Sequence, residues 1–186
     1  RIREALKMGF DKAMILPPAE VQGRSIDAVI EQTAKKPHTG LSDPDQYTNP
    51  YVDDSAKQAQ TRNRPVKAYM LMYQSKPVPQ KTKGKTPDQL EELFKQKRWN
   101  GLTVPEDFLL QRRELEERKN HGFDTYDDDD ATKSQWSWLL DSRVSSSGVA
   151  DARWYPRARR VDVRWGASDS ASPGLGARPA VVVEIL

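Results

Sequence analysis

"KPVPQKTKGKT" (Lys76–Thr86) joins a run that reads as a strand, "VKAYMLMY" (Val66–Tyr73), to one that reads as a helix, "TPDQLEELFKQKRWNG" (Thr86–Gly101). Its last three letters are those of a phosphate-binding loop, and on that reading the chain would be built round a nucleotide. Such a loop needs glycine, four free positions and then Gly-Lys-Ser/Thr, so that a tight curl aims successive N–H groups at a phosphate. Counting back from Gly84 puts the first glycine at Pro79, which has no N–H and cannot take positive φ. Thr86 precedes Pro87, and a residue before proline is pushed out of the helical region. The stretch reads instead as an extended cationic connector entering a capped helix. Thr86 is the N-cap, Pro87 takes the first helical position, and Asp88, Glu91 and Glu92 face the positive end of the helix dipole.

Outward from this point the charge is uneven. Ser55 to Val104 holds eleven basic against three acidic residues, whereas Pro105 to Asp130 holds four against ten. Lysine disappears after Lys133, where all seven basic residues are arginine, and the change marks a boundary near residue 134. The whole chain of 186 residues is 36% hydrophobic and 31% charged with 13 prolines, at a mean hydropathy of −0.84. Such a chain builds a small core for its length and gains order from partners. Cysteine is absent, which removes disulfides, thiolate nucleophiles and sulfur-ligated zinc. No apolar run approaches the roughly 20 residues needed to span a bilayer, the start shows no signal-peptide pattern, and no membrane partner is expected.

The elements follow from periodicity. "IREALK" and "KAMIL" read as a short helix and a strand, and "SIDAVIEQTAKKP" as an amphipathic helix with Ile26, Val29, Ile30 and Thr33 on one face. His38 to Pro65 is rich in turn formers and reads as a long loop or arm. "TVPEDFLLQRRELEERKNHG" starts a second helix at Thr103 or Val104; beyond its first turn it is nearly all charge, which predicts an exposed helix. "WSWLLDSRV", "VADARWY", "RRVDVRW" and "AVVVEIL" read as strands. The expected fold is α+β, a small mixed domain with long extended arms and a C-terminal β-rich module. The expected division is 1–37, 38–65 (arm), 66–123 (strand, linker and two helices), 124–135 (acidic linker) and 136–186 (β-rich module).

Catalytic signatures are missing. The two histidines are His38, in the proline-rich loop, and His121, beside Gly122 at a helix end. The second fits an interaction with helix C-terminal carbonyls. The carboxylate pairs Glu91/Glu92 and Glu116/Glu117 are sequential on helices and point apart. Asp127, Asp129 and Asp130 are the metal candidates, but the EF-hand pattern fails at Ala131 and Thr132. A solvated acidic loop is the better reading, and no cofactor or small-molecule substrate is expected. The basic segment offers Arg62, Arg64, Lys76, Lys81, Lys83, Lys85, Lys97 and Arg98, with Tyr69, Tyr73 and Trp99 nearby. Cations interleaved with aromatics suit a partner or single-stranded nucleic acid. The terminal run offers Val181, Val182, Val183 and Ile185 for strand addition to a neighbouring sheet.

"SSGVADARWYPRARRVDVRW" (Ser146–Trp165) resembles the opening of the KTSC domain, a short β-rich module at the C-terminus of some lysyl-tRNA synthetases and in many phage-associated proteins. The matching positions are Ser146, Ser147, Val149, Trp154, Pro156, Val161, Val163 and Trp165. The departures are Tyr155, where the family has aspartate, and the low-complexity stretch to Pro179. Two strands round a proline-containing turn, with Trp154 packed on Trp165, would suit it. The family has no established catalytic residues to transfer, so the resemblance implies a setting, a phage particle. The expectation is a non-catalytic structural subunit of a virion (head, neck or tail), made in the host cytoplasm and contacting other subunits in multiple copies. The alternative is a nucleic-acid-binding or ribosome-associated protein acting through residues 55–104.

Overall fold

The computed structural model describes residues 1–16, 51–61, 64–65, 67–76, 78–120, 136–155 and 160–185. In chain order the elements are α1 (Ile2–Lys7), β1 (Lys12–Leu16), β2 (Tyr51–Val52), β3 (Gln60–Thr61), β4 (Tyr69–Tyr73), α2 (Pro87–Lys97), α3 (Val104–Asn120), β5 (Ser137–Ser145), β6 (Gly148–Tyr155), β7 (Arg160–Ala167) and β8 (Ala180–Glu184). The α+β class is as expected. The strands form two sheets, β1-β4-β8 and β2-β7-β6-β5-β3. All pairings are antiparallel except β2 with β7.

Both larger helices begin where side chains satisfy the orphan N–H groups of a first turn. The Thr86 amide donates to Gln89 Oε1 (3.1 Å) and the Gln89 amide to Thr86 Oγ1 (3.2 Å). Thr103 and Glu106 repeat this at α3, the Thr103 amide donating to Glu106 Oε2 (2.8 Å) and the Glu106 amide to Thr103 Oγ1 (3.3 Å). The glycine expected to end α2 does something else. Arg98 takes the left-handed turn at φ 56°, and Gly101 lies flat on β5, where a Cβ would come 2.6 Å from Leu140 Cβ.

The main core lies between the sheets: Leu16, Tyr69, Leu71, Tyr73 and Val182 from one, Leu139, Ala150, Ala152, Val161 and Val163 from the other, with Val104, Phe108 and Leu110 of α3. On the far side of the larger sheet, Leu90 and Phe94 of α2 pack on Trp138, Leu140 and Val149. On the far side of the smaller sheet, Ala5 and Phe10 cover Met72 and Val181.

Several expectations change. The 136–186 module does not close on itself, because β8 leaves it to pair with β4. The stretch read as an arm is, over 51–61, a strap: β2 adds to one edge of the larger sheet, β3 to the other, and Ala56 between them is fully buried. The connector 76–86 is folded down, with a 3₁₀ turn at Gln80–Thr82 and Val78 and Thr82 buried. The first two turns of α3 are buried, including Glu106 and Asp107, because polar side chains can enter a core when they find partners there. In the register, Trp154 stands opposite Val161, and Trp165 opposite Ala150. The two positions are four residues apart along the ladder, about 13 Å at the usual strand rise. The helix expected at 25–37, His38, His121 and the acidic loop lie outside the described residues.

Candidate functional site

The most exposed apolar surface follows from the register of the smaller sheet. Ala13, Met72 and Val181 form one cross-strand row, and Ile15, Met70 and Val183 the next on the same face. The helix α1 has six residues and covers the first row on β4 and β8, where Met72 and Val181 are each 3% exposed, while Ala13 at the β1 end stays exposed. The second row is left partly open, with Ile15 66% exposed. Ile2 (45%) and Leu6 (56%) of α1, the helix over the first row, and Ile185 (39%) just beyond β8 are exposed apolar residues on the same elements. Contiguous apolar residues on a solvent-facing surface mark sites of association.

The strand expected to recruit a neighbour is engaged within the chain. Val181 and Val183 direct their backbone toward β4, and the outward groups of Ala180 and Val182 are taken. Asn100 exchanges backbone bonds with Ala180 (2.8 and 2.9 Å), and its Oδ1 accepts from the Val182 amide (3.2 Å). Arg1 Nη1 donates to the Val182 carbonyl (3.0 Å). Addition along Val181, Val182 and Val183 would have to displace these bonds. Ile185 is exposed, but it contributes to the apolar face.

The basic residues separate into two groups. Arg64, expected at the surface, is 7% exposed and central to a buried cluster. Its Nε and Nη2 grip both oxygens of Glu106 (2.8 Å each), Nη1 donates to Asp141 (2.8 Å), and Nη2 also reaches the Gly101 carbonyl (2.9 Å). Tyr69 Oη donates to Glu106 Oε1 (2.7 Å). Burial works against the guanidinium's charge, but Glu106 and Asp141 outweigh it and hold the Arg64 pKa above its ordinary value. Burial and the Glu106 carboxylate push Tyr69 up. Breaking such a buried pair from one side costs about 3–5 kcal/mol, so this cluster is a clasp joining β4, α3, β5 and the segment 64–65.

Lys76, Lys81, Lys97 and Arg98 are exposed, and Lys83 and Lys85 half-buried. Lys81 Nζ sits 4.2 Å from the Trp99 ring centroid. Its pKa is lowered by burial and by the neighbouring Lys97 charge. Lys81, Lys97 and Trp99 therefore form one cationic-aromatic patch. Arg62, Asp127, Asp129 and Asp130 lie outside the described residues, and among the described residues no group of three or more potential ligands could hold a metal ion. No helix among them is long and apolar enough to cross a membrane.

A cleft of about 460 Å³ opens between α2 and β5, lined by Asp88, Glu91, Glu92, Phe94, Lys95, Trp99 and the 140–141 backbone region. Three of its carboxylates are paired, Glu91 and Asp88 sharing Arg143 (2.6 and 3.5 Å) and Asp141 holding Arg64 (2.8 Å), while the exposed Glu92 accepts from Gln96 Nε2 (3.1 Å). The lining offers no hydroxyl or thiol nucleophile. Two signals for these features were present in the sequence. The Thr-x-x-Glu box at Thr103–Glu106 marked a helix start, although nothing local showed that its glutamate would receive an arginine 42 residues away. The Ile2/Leu6 spacing gave an apolar helix flank, although not the sheet it would leave half covered.

No family model, no curated protein and no solved structure matches the chain.

Proposed function

We propose that this chain is a non-catalytic structural subunit of a large assembly, with a phage virion (head, neck or tail) as the assembly and the host cytoplasm as the place where it is put together. The observation that carries the reading is the half-covered face of the smaller sheet, where Ile15, Leu6, Ile2 and Ile185 stand in solvent although a folded chain gains by burying them. The ground for the phage setting is the resemblance of Ser146–Trp165 to the KTSC opening. The strap across the larger sheet also fits, since very short edge strands such as the two-residue β2 and β3 discourage uncontrolled strand pairing and leave faces for specific contacts. The test is fractionation of particles from the native source. The protein should be recovered in a fixed ratio to other structural proteins in a high-molecular-weight fraction; recovery only as a free monomer would overturn the reading.

The patch of Lys81, Lys97 and Trp99 favours a second reading, contact with single-stranded nucleic acid. Binding that falls steeply with salt and is lost in Lys81→Gln/Lys97→Gln would support it.

A further inference from the structure

We infer that the partly open row Ile15–Met70–Val183 seats an acidic amphipathic helix of a neighbouring subunit, laid beside α1. The inference rests on the assembly reading and names the chemistry of the partner at the face that carries it.

The shape comes from register. Three strands at about 4.8 Å spacing make a row roughly 10 Å long, room for about two turns of a helix lying along it as α1 lies along the first row. The row under α1 is filled by Ala5 and Phe10 against Met72 and Val181. The neighbouring row has the same kind of floor and less cover among the described residues: Met70 and Val183 are half-buried against the edge of that cluster and Ile15 is 66% exposed. The helix over the first row stands above the neighbouring one as a wall, and its exposed Ile2 and Leu6, four residues apart, give it an apolar side. A floor of sheet with a wall of helix takes an apolar helix stripe with i, i+3, i+4 anchors. A strand is disfavoured here, since this is a face and the β8 edge beside it is occupied by Asn100 and Arg1.

The charge comes from the same helix. Arg1, Arg3 and Lys7 stand against one acid, Glu4, and all four are exposed. Arg1 donates to a carbonyl, which leaves its charge uncompensated. The wall is therefore positive. A second copy docked face to face would bring two positive walls together, whereas a helix with glutamates bordering its apolar stripe meets opposite charge.

The test uses the isolated full chain, so its outcome is separate from whether the chain is found in particles. A fluorescent two-heptad peptide, (Glu-Leu-Leu-Glu-Glu-Ile-Leu)₂, is titrated alongside its counterpart with lysine for every glutamate. Saturable binding of the acidic peptide is expected, at least about tenfold tighter than the lysine peptide at low salt, with the gap narrowing as salt rises. Leu6→Ser and Ile15→Ser should each weaken it at least about tenfold, with thermal midpoints unchanged because both residues are exposed. Absence of binding, equal binding of both peptides, or indifference to both substitutions overturns the proposal. So does sedimentation showing a dimer that either substitution dissolves, because the occupant would then be a second copy.

Discussion

Buried polar residues decide how this molecule responds to its surroundings. Asp107 on α3 is 6% exposed, takes a hydrogen bond from Gln111 (2.5 Å), and lies near the Arg178–Glu114 pair (2.8 Å). Burial raises its pKa to about 6, against the opposing pull of Arg178 and Gln111 and with a further push from Glu114. Asp151, beside Arg164 and Arg153 where both guanidiniums stack on Trp136, is likewise raised by burial to about 6. A carboxyl that holds its proton more tightly folded than unfolded stabilises the fold at low pH. That contribution fades as pH climbs from about 4 through 6, leaving a penalty of at most about 3 kcal/mol per group at neutrality. Asp107→Asn should therefore raise the urea midpoint at pH 7.5 and leave it nearly unchanged at pH 4. Equal effects at both pH values would contradict this account. Little of this was legible beforehand, because a sequence shows that Asp107 is acidic and helical but not what lies above it. Arg64 is the sharper case: a cation in a basic run reads as a surface contact, and only the fold brings Glu106 and Asp141 to meet it.

Elements were more legible than their neighbours. The caps at Thr86 and Thr103 and the strands at β4, β5, β6, β7 and β8 follow from local chemistry, which acts within a few residues and so leaves a local trace. The burial of α3 left no such trace, since its apolar periodicity is weak and its first turns owe their place to polar partners such as Arg64 and the Ser142 hydroxyl, which accepts from the Val104 amide (2.9 Å). The close approach at Gly101 was hidden for the same reason. Its glycine reads as a helix terminator, yet the residue ending α2 is Arg98, and Gly101 is needed because β5 passes within a methyl group's reach. Gly101→Ala should destabilise the protein by about 1–3 kcal/mol through forced separation of this segment from β5. Arg98→Gly, which relieves a left-handed arginine, should stabilise it slightly. Both are read from chemical denaturation, and a neutral Gly101→Ala would show that the two backbones part easily.

For the whole molecule, composition suggested separate modules joined by linkers, and topology joins their described parts into one core. Residues 12–16, 69–73 and 180–184 share a sheet, and residues of the strap, α3 and the hairpin share the core behind it. Residues 136–186 expressed alone should therefore lack a cooperative thermal transition, whereas the full chain should unfold in one. Two resolved transitions in the full chain would restore the modular view. The β4–β8 pairing also bears on synthesis. The central strand of the smaller sheet is translated long before its second partner, and at about 5–20 residues per second the stretch from Tyr73 to Ala180 occupies the ribosome for roughly 5–20 s. During that interval β4 presents Met70, Leu71 and Met72 on an unpaired edge. A nascent chain that stalls anywhere before Ala180 keeps that edge open to mispairing and to chaperones, so the strand that closes the sheet also ends the period in which β4 is a liability.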